Sequence, residues 1–173
     1  MATHVSAPPD LELARDERLE FINGQFVERV LGGKIHSECQ FTVVSRLKPI
    51  AKRIGAVVHQ EWSLAHGEEW LVPDVMLTQP GADQTDRRGY LISTPLLCIE
   101  ILSPGQTQSE LLQKCRLYHL WGVPHCWVID PAARVSFESH APDVFKLIGA
   151  DEELTAGDVK LAVGSIFTGM FAE

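Results

Sequence analysis

The sequence predicts a single α/β domain, and three observations carry that expectation. Leu96–Leu102 is a continuous apolar run of the kind found in a central strand covered on both faces. A helix signal from Thr107 to Trp121 follows it, and His125–Ile129 then forms a second buried-strand run. Strand, helix, strand at this spacing is a βαβ unit, with parallel strands joined by a right-handed crossover. A chain of 173 residues is long enough to bury its own core.

The other elements follow in order. Residues 1–18 are acidic and lack the apolar stretch of a signal peptide, so they read as a flexible tail ahead of a domain at 19–173. Leu19 to Val30 reads as a hairpin, because Asn23-Gly24 tolerates the positive φ of a type I′ turn. Ile35, Cys39, Val43, Leu47, Ile50 and Ile54 mark one face of a long helix. Pro49 is expected to kink that helix or split off its last turn, and Gly55 to end it. Ala56–Leu64 and Trp70–Gln79 read as two strands joined at His66-Gly67, and Pro80–Ser93 as a loop.

Thr107 and Glu110 fit a capping box at the start of the second helix, with Gly122 and Pro124 as its stop. Val135–Ser139 and Val144–Ile148 read as a C-terminal hairpin. A short strand and an apolar tail at Ile166, Phe167, Met170 and Phe171 complete the chain.

Composition narrows the class. The chain is 45% hydrophobic and 22% charged, as in a soluble globular protein, and no apolar run reaches the roughly 20 residues of a membrane span. Cys39, Cys98, Cys115 and Cys126 stand in apolar surroundings without a CxxC pair. They read as buried thiols in a reducing cytoplasm, not as a zinc site. A net charge of −8 argues against indiscriminate grip on nucleic acid, yet leaves room for a local basic groove. The cations do cluster: Arg46, Lys48, Lys52 and Arg53, then Arg87 and Arg88, then Lys114 and Arg116.

Two acidic residues interrupt apolar strands. Asp74 lies in Leu71-Val72-Pro73-Asp74-Val75-Met76-Leu77, and Glu100 in Leu96-Leu97-Cys98-Ile99-Glu100-Ile101-Leu102. A carboxylate so placed carries a desolvation cost unless paired, hydrogen-bonded or bound to a cation. Facing one another, the two would repel by about 4 kcal/mol at an effective dielectric of 20, and a divalent cation relieves this. Two carboxylates, a backbone carbonyl and water suit Mg²⁺. The alternatives are a solvent-facing Asp74 and a Glu100 paired with an arginine or held neutral.

Glu110, Lys114 and Tyr118 lie along one helical stripe, from which Lys114 can reach back to Glu100 and stabilise developing charge. Their plainer reading is a cap, a surface ion pair and a core tyrosine. His36 opens the long helix and is a candidate for orienting a phosphate. GxGxxG, P-loop and GxSxG patterns are absent.

Together these segments resemble a known family. Leu19-Glu20-Phe21-Ile22-Asn23-Gly24, His36 opening a helix, Val72-Pro73-Asp74-Val75, Ile99-Glu100-Ile101-Leu102-Ser103-Pro104, Lys114 with Tyr118, and Gly122-Val123-Pro124-His125-Cys126-Trp127-Val128-Ile129-Asp130-Pro131 are similar to the Uma family of restriction-endonuclease-type proteins. That family sits in the PD-(D/E)XK nuclease superfamily, and the likeness spans roughly residues 19 to 140.

The resemblance implies a restriction-endonuclease-like mixed central sheet flanked by helices. It also implies metal-dependent hydrolysis of DNA phosphodiester bonds with Mg²⁺ or Mn²⁺. Asp74 and Glu100 would be the metal-binding pair, with the backbone carbonyl of Ile101 beside them and Lys114 as the assisting cation. His36 and Glu110 would position substrate, and the partners would be DNA and a second copy of the chain. Three positions depart from the pattern: Leu102 stands where the superfamily has lysine, Glu110 where the family more often has aspartate, and Gln25 in place of a frequent glutamate. Leu102 and the acidic surface also fit an alternative, a catalytically silent nuclease-like module that binds nucleic acid or a protein. Trp62, Trp70 and the Phe167–Phe171 segment offer interface candidates, or else simply core.

Overall fold

The computed structural model describes residues 19–170. The tail expected at 1–18 and the expected apolar residue Phe171 lie outside the described residues. Strands β1 (Leu19–Ile22) and β2 (Gln25–Glu28) form the predicted hairpin, with Asn23 at φ 52° and Gly24 at φ 73°. Helix α1 (Lys34–Ile54) follows and ends on Gly55 in the left-handed conformation. It runs through Pro49 as one helix, contrary to the expected split. Pro49 and Ser45, whose carbonyl loses its helical partner, both lie on exposed positions where water can replace that hydrogen bond.

The region read as two strands is four: β3 (Val57–Gln60), β4 (Leu64–His66), β5 (Glu69–Leu71) and β6 (Val75–Thr78). The inner pair, β4 and β5, joins the first hairpin in a sheet of order β2-β1-β5-β4. The outer pair, β3 and β6, belongs to a different, six-stranded sheet. The chain changes sheets at Val72-Pro73-Asp74, where Pro73 has no amide hydrogen to continue a ladder.

That larger sheet has the order β10-β9-β8-β7-β6-β3. It includes β7 (Leu97–Ile101), β8 (His125–Asp130), β9 (Val135–Ala141) and β10 (Val144–Ile148). β7 and β8 run parallel, joined by α2 (Gln108–Leu120), while the other neighbours are antiparallel, so the sheet is mixed as expected. Thr107 and Glu110 form the full capping box on α2.

One face of the sheet packs Val75, Leu77, Leu97, Ile99 and Ile101 with Val43 and Leu47 of α1. The other packs Met76, Cys98, Cys126 and Val128 with Leu111, Cys115 and Tyr118 of α2. The C-terminal region is richer than the predicted strand and tail: β11 (Glu153–Ala156) pairs with β12 (Val159–Ala162), and α3 (Val163–Met170) follows. Phe167 and Trp70 are buried, so packing accounts for both. Trp62 is half-buried, its indole N–H donating to the Gly89 carbonyl. All four cysteines are buried and unpaired. Among the described residues no helix is long and apolar enough to cross a membrane.

Candidate active site

The register of the large sheet brings the two acids together. Val75 of β6 pairs with Ile99 of β7 in an antiparallel ladder, and one further step sets Asp74 beside Glu100. Both are buried, Asp74 at 6% exposure and Glu100 at 2%. Asp74 sits where the chain changes sheets, and its Oδ2 accepts the Ile101 amide hydrogen at 2.7 Å. Its Oδ1 lies 3.3 Å from His36 Nε2, in the first turn of α1, and 3.8 Å from Arg29 Nη2. The Asp74 carbonyl is also held, accepting from Gln40 Nε2 at 2.9 Å.

Glu100 faces α2. Lys114 and Tyr118, one turn apart, project onto it together. Lys114 Nζ stands 3.0 Å from both Glu100 oxygens, and the Tyr118 hydroxyl donates to Oε1. The same ammonium donates at 2.9 Å to Oε1 of Glu20, a third buried carboxylate, carried by β1. That Glu20 oxygen also accepts the Val72 amide hydrogen at 2.8 Å, tying the small sheet to the turn that presents Asp74.

Charge and burial compete at each group. Burial pushes the Glu100 carboxyl up, Lys114 and Tyr118 pull it back, and the neighbouring Asp74 and Glu20 charges add to the rise, leaving it at about 7. Burial alone would lower Lys114, but Glu100, Glu20 and Asp74 outweigh it and hold the ammonium well above its ordinary value. His36 follows the same pattern. Its burial lowers it, yet the hydrogen bond and charge of Asp74, with Glu61 and Glu100 behind, carry it above its usual value. Gly32 lies flat against the His36 ring, where a Cβ would come within 2.3 Å of Nδ1.

Beside these groups opens a cleft of about 290 Å³, with Glu20, Asp74, Glu100, Ile101 and Lys114 in its wall and Glu110 at its rim, while His36 and Tyr118 stand behind that wall. The structure thus brings Asp74, Glu100, Lys114 and His36 together. Ile101 contributes its amide to Asp74. The Glu110 carboxylate is taken up by the Thr107 amide and hydroxyl, at 2.6 and 3.0 Å. Glu20, Arg29 and Gln40 were not singled out by the sequence patterns, and Tyr118 was read as core. Glu20 did carry a signal of the same kind as the other two acids, a carboxylate within an apolar strand. Among the described residues no group of three or more His, Cys, Asp or Glu side chains converges on a metal-sized position.

Residues 8–143 match the family model of Uma2, whose description reads "Putative restriction endonuclease". The chain belongs to the Uma2 family. A similar solved structure is that of a protein from Anabaena variabilis described as a "putative nuclease belonging to DUF820". It shares 21% identity over 88% of this chain and 91% of that one, with a TM-score of 0.77, and so shows that the two share a fold. A DrdV–DNA complex aligns at 15% identity over 82% of this chain but 12% of that one; its TM-score of 0.46 is too low to carry an argument. No curated protein matches the chain in sequence. The Uma2 match includes Glu20, His36, Asp74, Glu100 and Lys114, so every acidic and cationic group described above falls inside it.

Proposed function

We propose that this Uma2 chain is a Mg²⁺- or Mn²⁺-dependent endonuclease that hydrolyses phosphodiester bonds in DNA, with residues 19–173 acting as one PD-(D/E)XK-type domain. One observation carries the reading: Lys114 Nζ sits 3.0 Å from Glu100 while Asp74 stands beside it across β6 and β7, in an open cleft. The donor set suits a hard cation, since Asp74 and Glu100 supply anionic oxygens and the Ile101 carbonyl can supply a neutral one. Burial raises the Glu100 carboxyl to about 7, and the Asp74 and Glu20 charges beside it add to that rise, which a bound cation would relieve. When bound, such an ion supplies an acidified water and charge compensation on phosphate oxygens.

The side chains of the chain do the rest. Lys114 keeps a proton at neutral pH, favours the ionised form of Glu100 and offers a hydrogen bond to a phosphate oxygen. Tyr118 fixes the Glu100 carboxylate by its hydroxyl. His36 steadies Asp74 from behind, its Nε2 3.3 Å from Oδ1. Glu110 stands at the rim, where an approaching phosphate chain would pass it.

Supercoiled plasmid incubated in Mg²⁺ and in Mn²⁺, beside the Asp74→Ala protein, tests the proposal. Metal-dependent nicking lost in the variant supports it. Leu102, at the position where the superfamily has lysine, favours the second reading, a silent nucleic-acid-binding or protein-binding module. No cleavage in either metal, with no rise in melting temperature on adding Mn²⁺, would establish that second reading instead. A second copy of the chain as partner for double-strand cutting is checked by sedimentation of the protein with and without DNA.

A further inference from the structure

From Cys39 to Gln60 the sequence contains no acidic residue, in a chain that carries 23 of them against 15 basic ones. This stretch covers most of α1 and holds Arg46, Lys48, Lys52 and Arg53. The helix buries Cys39, Val43, Leu47 and Ala51 against the sheet, which turns all of these cations outward, and each is exposed. Among the described residues none of them has an acidic partner. Elsewhere Lys34 pairs with Glu38, Arg88 with Asp86, Arg116 with Asp143 and Lys146 with Glu152, while Arg87 and Lys160 are single exposed cations without an acidic partner among the described residues. Lys52 and Arg53 lie in the last turn, where the helix dipole favours them, but Arg46 and Lys48 lie too far back for that explanation.

We infer that the solvent side of α1 is a docking strip for the phosphate backbone of duplex DNA, with Lys48 and Lys52 one turn apart on its outer line and Arg46 and Arg53 together on one flank. The inference rests on the nuclease reading and adds to it where the substrate is held outside the cleft. Charge complementarity selects the occupant, because an unpaired cationic strip attracts polyanions and repels the same strip on another copy of the chain. Spacing fits as well. His36 reaches Asp74 from the first turn of α1, so the start of that helix lies beside the acidic pair, and at about 1.5 Å per residue Arg46 lies about 15 Å further along and Arg53 about 26 Å. At about 3.4 Å per base step that distance spans about four to eight base pairs from the scissile position. Lysine and arginine contacts of this type add affinity without reading sequence.

Binding of a labelled 30-base-pair duplex to the full chain, measured across a salt series in EDTA and again in Ca²⁺, tests the strip. Lys48→Ala/Lys52→Ala is compared with Arg116→Ala/Lys146→Ala, which removes the same charge from other faces. The expected result is a tenfold or greater loss of affinity for the α1 variant alone, with its log–log salt slope reduced by about 2 and its melting temperature unchanged. Equal losses in both variants would overturn the strip while leaving the nuclease reading intact, since plasmid nicking reports that reading separately. Failure of the wild type to bind duplex, with binding to phosphatidylserine vesicles in its place, would overturn the DNA strip. Plasmid nicking would then decide the nuclease reading.

Discussion

On the α1 side of the large sheet, Leu97, Ile99 and Ile101 meet apolar partners, whereas on the α2 side the alternating residues of the same strand are Cys98 and Glu100. The period of two sends one set of side chains to each face. The first face gains free energy from burial. The second holds a carboxylate at 2% exposure, kept there by an ammonium and a hydroxyl from one helix and crowded by two further carboxylates. A single strand therefore separates stability from chemistry by alternation alone, and substitutions on the two faces should fail in different ways.

The largest expected effect is on activity. Asp74→Asn and Glu100→Gln should each reduce plasmid cleavage by about 10³-fold or more, with circular dichroism unchanged. Lys114→Met comes next and should lower both quantities. It strands Glu20 and Glu100 as buried unpaired charges, and breaking a buried pair in this way costs about 3–5 kcal/mol in urea unfolding. Ile99→Ala, one residue from Glu100 but on the other face, should cost about 2–5 kcal/mol of stability. Below its melting range the residual folded protein should keep its cleavage rate.

A subtler contrast is in pH. The folded Glu100 carboxyl, at about 7, lies above its unfolded value of 4.5, so between those values the folded state holds a proton that the unfolded state has released. Its contribution is full below pH 4.5 and is lost as pH rises through 7. Metal-free wild type should therefore gain stability relative to Glu100→Gln as the buffer is taken from pH 8 to 5, read by thermal melts. Smallest of all, Thr107→Ala should remove the α2 cap for about 1 kcal/mol and leave cleavage unaffected unless Glu110 positions substrate.

What the sequence revealed of this arrangement was local. Asp74 and Glu100 stood out because each breaks an apolar run, and Lys114 because it lies on the helical stripe shared with Tyr118. The capping box was legible because its partners are three residues apart. Glu20 carried the local signal of an acid in an apolar strand, but its pairing with Lys114 was hidden, because the two are 94 positions apart and spacing carries no information over that separation. The division of 57–78 between two sheets was hidden for a similar reason: alternation looks the same in either sheet, and the change at Pro73 depends on what each half finds to pair with. Helix α3 was missed because Gly164, Ser165, Thr168 and Gly169 are weak helix formers, overridden by packing of Val163, Ile166 and Phe167 in the core.

The shared Glu20 oxygen has a consequence for how the molecule is made. It grips Lys114 and the Val72 amide at once, joining the first strand to a helix that begins past the middle of the chain. A ribosome releases β1 long before α2 exists, so that latch must wait, open, while the 94 positions between its partners are made. Until it closes, Lys114 lacks one of its two anchors and the turn before Asp74 lacks its tether. The proposed site is thus incomplete until α2 has emerged and met β1, and a chain cut short before Lys114 cannot assemble it.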